Sequence, residues 1–496
     1  MAGRRLMLVL VLLVAAASLA AGASGSKYMR FDLLRRQPAS LAELWHMDRA
    51  RMAFIAARRG RRLTAETTSA SKAKASPAPA GGGDEAFAMP LSSGAYTGTG
   101  QYFVIFRVGT PAQPFLLVAD TGSDLTWVKC RRPATADPAA YNGTSWNDSS
   151  SLSASPRAFR PDKSRTWRPI PCSSDTCVES LPFSLAACPT PGSPCAYDYR
   201  YKDGSAARGT VGTDSATIAL SAGRAAKKKT KLRGVVLGCT TAYNGDSFLA
   251  SDGVLSLGYS NISFASRASS RFGGRFSYCL VDHLAPRNET SYLTFGPNPA
   301  VSPPPPSPKP ACASAPPRPP GARQTPLVLD RRTHPFYAVT VNGVSVDGEL
   351  LRIPRHVWDV ERGGGTILDS GTSLTVLARP AYRAVVAALS EKLAGVPRVA
   401  MDPFDYCYNW TSPATGQDLV DVPVPTLAVH FAGAARLEPP AKSYVIDAAP
   451  GVKCIGLQEG EWPGVSVVGN ILQQEHLWEF DLKNRRLRFM RSRCAH

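Results

Sequence analysis

The sequence predicts an all-β chain of two related lobes with a few short helices, and three observations lead to this prediction. From residue 102 onward, short apolar runs alternate with turns rich in Gly, Pro, Asn and Asp. The triplet Asp120-Thr121-Gly122 returns in the second half of the chain as Asp369-Ser370-Gly371, with similar flanks. A Pro-rich segment at 301–322 separates the two copies and is typical of a spacer.

The individual elements follow from local patterns. The predicted helix is 380–393, because Pro380 suits the first turn and apolar residues recur behind it at helical spacing. The clearest predicted strands, each an apolar run rich in β-branched or aromatic residues, are 102–108, 232–237, 337–341 and 428–431.

The repeated triplet points to acid–base chemistry. Two carboxyl groups within hydrogen-bond reach cannot both ionise, so one donates a proton while the other activates water. A single such triplet is usually a turn, in which Asp caps and Gly takes positive φ. Two copies that each end an apolar run favour a catalytic pair, Asp120 and Asp369.

Each predicted loop also carries groups that can hold its carboxylate. A glycine lets backbone N–H groups approach, and a hydroxyl three residues past each Asp can donate a hydrogen bond. The candidate support residues are Thr121, Gly122, Ser123, Ser370, Gly371 and Thr372.

These motifs resemble those of the pepsin-like aspartic endopeptidases, in particular the plant nepenthesin-like, or atypical, subgroup. Residues 118–127 match the family's first active-site motif through Trp127, and 201–205 resemble the flap that closes over substrate. Residues 252–258 and 467–472 resemble the two apolar-Gly segments that cross behind the active-site loops. The resemblance covers about residues 92–496 and implies a two-lobed pepsin-like acid protease fold with the active-site cleft between the lobes.

The resemblance also implies a mechanism. Peptide bonds of a protein or peptide substrate would be hydrolysed, with an acid pH optimum, by water held between the two aspartates. The flap would supply Tyr201, Gly204 and Ser205, with the indole of Trp127 either bonded to Tyr201 or simply packed in the core. The sequence departs from the family at Lys202 and Ser256, where glycine is usual, and Lys202 puts substrate preference in question. A related protein that binds a partner without cutting is the alternative.

Eleven cysteines favour an oxidising compartment. The family resemblance implies a bridge between Cys172 and Cys177 and another between Cys407 and Cys454. The remaining connectivity cannot be read from spacing, and six further cysteines are expected to pair: Cys130, Cys188, Cys195, Cys239, Cys279 and Cys494. The odd count leaves one thiol, for which the candidates are Cys312 and, second, Cys130. Without a Cys-x2-Cys pair or clustered His, neither a metal nor another cofactor is expected.

The N-terminal segments predict export and maturation. Residues 1–26 combine Arg4 and Arg5 with an apolar run too short to span a bilayer, which is typical of a secretory signal peptide rather than a stable membrane anchor. Residues 27–90 resemble a propeptide that inhibits its own enzyme, with a helix from a capping box at 40–43 to about residue 57. The alternative is a disordered leader. The lobes are predicted at 91–300 and 323–496.

A secreted or endomembrane destination is expected, with the vacuole open and the plastid less favoured because the leading run is leucine-rich. Asn-x-Ser/Thr sequons indicate a glycoprotein, and the candidates are Asn142, Asn147, Asn261, Asn288 and Asn409.

The net charge of +19 raises the question of nucleic acid. Part of it lies in 27–90, which carries 12 basic and 6 acidic residues. The sharpest basic cluster, 227–231, is predicted to be a solvated hairpin turn, and no nucleic-acid-binding motif accompanies it. We therefore expect a monomer that acts on protein and does not bind nucleic acid.

Overall fold

The computed structural model confirms the all-β prediction. It describes residues 45, 48, 49 and 52 and then 86–495, apart from 94–99, 132–156, 182–187, 201–205, 221–228, 245–247, 249, 287–288, 290, 299, 302–320 and 412–421. Residues 37–496 form one compact unit. The predicted signal peptide, and the Pro-rich insert apart from its ends, lie outside the described residues.

In the first half of the chain, the described residues from 86 onward form eleven strands and one α-helix. The strands are β1 Phe87–Ser93, β2 Tyr102–Val108, β3 Gln113–Asp120, β4 Thr126–Lys129, β5 Arg168–Pro169, β6 Ala196–Arg200, β7 Ala206–Ala219, β8 Lys229–Asn244, β9 Gly253–Ser256, β10 Arg275–Cys279 and β11 Ser291–Phe295, and the helix is α1 Phe264–Arg271. A 3-10 turn at Pro161–Lys163 and a short π-helical turn at Thr176–Ser180 complete this half.

The second half has the same character. Its strands are β12 Arg323–Val328, β13 Tyr337–Val339, β14 Val341–Val346, β15 Glu349–Leu350, β16 Thr366–Leu368, β17 Thr375–Ala378, β18 Arg398–Met401, β19 Phe404–Asn409, β20 Leu427–Phe431, β21 Arg436–Leu437, β22 Val445–Ala449, β23 Val452–Ile455, β24 Leu457–Gly460, β25 Ser466–Val468, β26 His476–Asp481 and β27 Arg486–Arg491. Its α-helices are α2 Arg379–Lys392 and α3 Asn470–Gln473, and its 3-10 turns are Arg355–Trp358, Val360–Arg362, Ala432–Ala434 and Ala441–Ser443.

The two halves repeat one strand arrangement. In the first, β3 runs parallel to β9, and β4 runs parallel to β8 and antiparallel to β9. In the second, β16 runs parallel to β25, and β17 runs parallel to β24 and antiparallel to β25. Each repeated triplet therefore follows a strand that is buried between neighbours, as the sequence predicts.

A central layer of antiparallel strands joins the halves. Strand β26 pairs with β10 of the first half and with β27, which in turn pairs with β12. Stacked rings hold this layer from within, since Phe276 and Phe480 lie 4.7 Å apart between centroids with an interplanar angle of 1°. The two halves consequently share part of their hydrophobic core.

The predicted secondary structure agrees closely with the structure in several places. Strand β2 has the predicted bounds, and the other three predicted strands lie within β8, β13–β14 and β20. Helix α2 begins one residue before Pro380. Among the described residues, no helix is both long and apolar enough to cross a bilayer.

The basic cluster differs from its prediction. Lys229 and Lys231 lie in strand β8 and not in a turn, because the β7–β8 pairing continues to Ala219 opposite Lys229. The ammonium of Lys231 donates to the backbone oxygen of Gly109 at 3.2 Å. Residues 227 and 228 lie outside the described residues.

Five disulfides pair ten of the eleven cysteines, and the eleventh, Cys312, lies outside the described residues. The Cys407–Cys454 bridge is confirmed, because the two residues face each other across β19 and β23. The other four bridges are Cys130–Cys239, Cys172–Cys188, Cys177–Cys195 and Cys279–Cys494.

Two cysteine predictions are therefore wrong. Cys172 and Cys177 are both bridged, but not to each other, because the backbone of 170–173 hydrogen-bonds to 191–195 and brings their partners across from that segment. Cys130 is not a free thiol, because its N–H donates to the backbone of Thr240 at 2.7 Å and this places it beside Cys239.

Strand β1 crosses the predicted boundary between residues 90 and 91. It pairs with β11 and β2, and its inward residues Phe87, Met89 and Leu91 belong to the main core. Phe87 is fully buried and its ring lies 4.7 Å from that of Phe295 and 4.8 Å from that of Phe272. The core of the first lobe thus begins before the predicted boundary.

Removing the buried ring of Phe87 should destabilise the protein. We expect Phe87→Ala to lower the free energy of unfolding by about 3–5 kcal/mol, because a fully buried ring is lost and leaves a cavity. Denaturant unfolding followed by tryptophan fluorescence would measure it, with the exposed neighbour Ala88→Ser as the matched control. Equal stability of the two variants would contradict a core role for β1.

Candidate active site

The two aspartates of the repeated triplets occupy equivalent places. Asp120 ends β3, and Asp369 follows β16 directly, with its N–H donating to the backbone oxygen of Val468 at 3.2 Å. Their exposed fractions are 2% and 0%. Two buried carboxyl groups therefore lie at the ends of the two matching strands.

Each carboxylate is held by the same two donors of its own loop. Gly122 N–H donates to Oδ1 of Asp120 at 2.8 Å, and the Ser123 hydroxyl donates to Oδ2. Around Asp369 the corresponding bonds come from Gly371 N–H at 3.1 Å and from the Thr372 hydroxyl at 2.6 Å. Of the predicted support residues, Gly122, Ser123, Gly371 and Thr372 are thus hydrogen-bonded to the two carboxylates.

The middle residues of the two triplets bind the loops to each other. Thr121 N–H donates to the Ser370 hydroxyl oxygen at 3.0 Å, and Ser370 N–H donates to the Thr121 hydroxyl oxygen at 2.9 Å. Each hydroxyl in turn donates to the backbone of the opposite loop, to Leu368 at 3.3 Å and to Ala119 at 2.9 Å. Two of these bonds join the residues that directly follow Asp120 and Asp369, and the other two end on the residues that directly precede them.

The two apolar-Gly segments support the loops from behind in matching ways. Gly258 N–H donates to Ser123 at 2.9 Å, and Asn470 N–H donates to Thr372 at 2.7 Å, in each case to the backbone oxygen. A Cβ at Gly258 would lie 2.5 Å from the oxygen of Ser123, and one at Gly469 would lie 2.4 Å from that of Leu374. Only glycine permits such close backbone approach at these two positions.

Comparison with known proteins agrees with this geometry. The family model described as Xylanase inhibitor N-terminal matches residues 102–297, and the one described as Xylanase inhibitor C-terminal matches 336–491. Aspartyl protease family protein 2 of Arabidopsis thaliana is 33% identical over 421 residues, which cover 82% of this chain and 74% of that protein. The chain belongs to the pepsin-like plant aspartic proteases.

Other similar proteins broaden this picture. Aspartic proteinase nepenthesin-2 of Nepenthes gracilis is 28% identical over 402 residues, covering 81% of this chain and 79% of that protein. Basic 7S globulin from soybean aligns with a TM-score of 0.57 at 18% identity, covering 83% of this chain and 99% of the globulin. The structure of edgp aligns with a TM-score of 0.60 at 20% identity, covering 84% and 96%. These two structures establish the fold alone.

Ser256, which replaces the usual glycine of the family, is accommodated by hydrogen bonds. It is buried, its hydroxyl lies 2.8 Å from that of Thr126, and it accepts a bond from the N–H of Phe264 at 2.9 Å. The hydroxyl therefore ties β9 both to β4 and to the start of α1. This departure leaves the support of the first loop intact.

The predicted flap lies at a strand connection. Strands β6 and β7 pair antiparallel up to Arg200 opposite Ala206, and the intervening residues Tyr201, Lys202, Gly204 and Ser205 lie outside the described residues. Trp127 is 1% exposed and packs edge-on against Phe248 with centroids 5.0 Å apart. Core packing thus accounts for Trp127, and its predicted bond to Tyr201 stays a prediction.

Several residues near the site were not singled out from the sequence. The Tyr199 hydroxyl, next to the flap connection, donates to the buried carboxylate of Asp124 in the first loop. In the second half, the Tyr278 hydroxyl donates to the Gln473 side chain. Burial, with a smaller contribution from the charge of Asp369, raises the pKa of Tyr278 well above its usual value. The sequence offered one indication that Asp124 is special: it occupies the position of Ser373, although the two loops are otherwise similar.

Among the described residues, three cysteines lie close enough together to be considered as metal ligands. The sulfur atoms of Cys172, Cys177 and Cys188 lie within 4.8 Å of one another. All three are oxidised in disulfides, so they supply no thiolate to a metal.

We call the reciprocal hydrogen bonds between Thr121 and Ser370 the inter-loop joint. Removing one of its hydroxyl groups should measure how much the joint contributes to stability. We expect Thr121→Val to lower the free energy of unfolding by about 1–3 kcal/mol, because the buried Ser370 N–H then loses its acceptor. Thr121→Ser is the matched control, since it keeps the hydroxyl and copies the residue used in the other triplet. Denaturant unfolding would detect the difference, and equal losses for the two variants would argue against the joint.

Proposed function

We propose that the protein is an aspartic endopeptidase that hydrolyses peptide bonds of protein substrates at acid pH. The observation that carries the proposal is the pair of buried carboxylates, Asp120 and Asp369, held by identical donors on two loops that hydrogen-bond to each other. Similarity to proteins named as aspartic proteases, at 28–33% identity, supports it.

The proposed chemistry uses one water and one shared proton. The ionised carboxylate takes a proton from water, and the oxygen attacks the scissile carbonyl carbon while the protonated carboxyl hydrogen-bonds the carbonyl oxygen. The protonated carboxyl gives its proton to the carbonyl oxygen, and a tetrahedral gem-diol forms. The proton taken from water then passes to the leaving nitrogen as the C–N bond breaks, and a hydroxyl of the gem-diol returns its proton to the second carboxylate, which restores the starting state. Which aspartate is ionised is a property of the pair, and Ser123 and Thr372 orient one oxygen of each.

Acid pH follows from the need to retain one proton on the pair. Two carboxylates in one site resist double ionisation, and activity is lost when the shared proton is lost. The substrate would lie extended across the site, with apolar side-chain pockets. No cofactor enters this scheme.

A binding protein that does not cut is the second candidate. It is favoured by one observation, namely that the matching family models are described as xylanase inhibitor domains and the similar solved structures include seed globulins. Against it stand both intact triplets and the hydrogen bonds on each carboxylate. The activity test below separates the two candidates.

We further propose that the protein is made as a secreted or endomembrane glycoprotein and is matured by removal of the part of 27–90 that precedes β1. Five disulfides support an oxidising compartment. Among the sequons, Asn261 is exposed in a turn, which suits glycan attachment, and Asn409 is half-buried in β19. Asn142, Asn147 and Asn288 lie outside the described residues.

Replacing either aspartate should abolish proteolysis. We expect Asp120→Asn and Asp369→Asn each to reduce kcat by about 100-fold to 10,000-fold or more, because an amide can neither take nor return the proton. Cleavage of a denatured protein from about pH 3 to 7, with and without pepstatin, is the measurement. The exposed Asp162→Asn is the matched control.

The outcomes are distinct. Acid cleavage that pepstatin blocks and both site variants lack would support the peptidase. A mature protein that cleaves nothing at any of these pH values would leave the non-cutting binding protein as the better explanation.

A further inference from the structure

Helical residues of the 27–90 segment lie against the second lobe. Residues 45, 48, 49 and 52 are helical, and the spacing of Trp45, Asp48 and Met52 places these three on one face. Trp45 packs against the cluster that includes Leu374 and Ile471, and Met52 packs against a different cluster. Arg49 is exposed.

A carboxylate lies in the middle of this otherwise apolar face. Asp48 is 2% exposed, and burial of a charged group is costly unless it is hydrogen-bonded. Its Oδ1 accepts from the N–H of Ser373 at 2.7 Å, and its Oδ2 accepts from the N–H of Leu374 at 2.5 Å. Two successive amides thus hold both oxygens of one side chain.

These two amides belong to the loop that carries Asp369. They directly follow Thr372, whose hydroxyl donates to Asp369 at 2.6 Å. On the other side of the same backbone, the oxygens of Thr372 and Ser373 accept from the N–H groups of Asn470 at 2.7 Å and Ile471 at 3.1 Å. The loop is therefore held through its carbonyls by α3 and through its amides by Asp48.

The first lobe differs from the second at this position of the loop. Its loop contains Asp124 at the position where the second loop contains Ser373, and the Asp124 carboxylate is buried there with the Tyr199 hydroxyl donating to it. In the second lobe the buried carboxylate beside the loop comes from Asp48 instead. The two loops thus differ at the position of Asp124 and Ser373, and in the second loop this is where the N-terminal segment binds.

We propose that the paired amides of Ser373 and Leu374 form a carboxylate-binding site, and that Asp48 is the anchor that latches the 27–90 segment onto the loop of Asp369. The segment is basic overall, with 12 basic against 6 acidic residues, yet this anchor is an acid bound to backbone amides. Asp48 also fixes the register of the helix, because only this residue places both oxygens on the two donors while Trp45 and Met52 reach their apolar clusters.

The latch can be tested by hydrogen exchange of the Ser373 and Leu374 amides in the full chain. An Asp120→Asn background prevents self-cleavage, so the segment stays covalently attached. We expect Asp48→Asn and Asp48→Ala each to speed exchange at both amides by about tenfold or more, because a charged hydrogen-bond acceptor is lost from both. Arg49→Lys, which alters a neighbouring residue of the same helix but keeps a cation beside the Trp45 ring, is the matched control and should leave the exchange unchanged.

Unchanged exchange at both amides in the two Asp48 variants would overturn the latch. If Asp48→Ala does not fold, the nearly isosteric Asp48→Asn decides, since its single oxygen cannot accept from both amides and it carries no charge.

A second measurement rests on the proposed function. In the chain with both catalytic aspartates intact, the Asp48 variants should convert to the shorter form at acid pH several-fold faster than wild type or Arg49→Lys. If no variant shows proteolysis but exchange still responds to Asp48, the latch stands and the peptidase proposal fails. Equal conversion rates together with unchanged exchange would remove the latch and leave the peptidase proposal untouched.

Discussion

The structure depends on the reciprocal hydrogen bonds between Thr121 and Ser370. Each residue gives its N–H to the other's hydroxyl, and each hydroxyl gives its proton to the backbone across the joint. All four groups are buried, so breaking one bond would leave a polar group without water or partner, which is costly. Because each residue directly follows a candidate catalytic aspartate, these bonds hold the backbone of the two aspartates together.

The duplicated strand arrangement explains why such a joint can form from residues so distant in sequence. Strands β3 and β16 each run parallel to a strand of the apolar-Gly segment, and that segment then donates backbone N–H groups to the loop beyond. The close approach demands glycine at 258 and 469, whereas position 256 tolerates serine because its hydroxyl finds Thr126 and the start of α1. A side chain is thus tolerated at position 256, where it is hydrogen-bonded, and is excluded at 258 and 469, where it would collide with backbone atoms.

Much of the fold and site was predictable because the signals are local. Strand periodicity located β2, a helix-starting proline located α2, and the repeated triplets located both carboxylates and their donors. The partners of Cys172 and Cys177 were not predictable from spacing, since they depend on which segments pair in space. Strand β1 was missed because its alternation is short and lies beside a small-residue linker, while its partner β11 is about 200 residues away. Asp48 gave no local signal at all, because an acid on a helix is ordinarily solvated.

The bonds around the second loop have a consequence for maturation. Buried amides are satisfied in native proteins, and those of Ser373 and Leu374 are satisfied by a segment that the proposed maturation removes. The mature protein therefore needs another acceptor for these two amides, for which water or a carbonyl or carboxylate oxygen of a bound chain would serve. The same loop orients Asp369 through Thr372, so the acceptor at these amides and the orientation of the carboxylate are linked by a short run of backbone. The loop of the first lobe contains a buried carboxylate of its own, Asp124, at the position of Ser373.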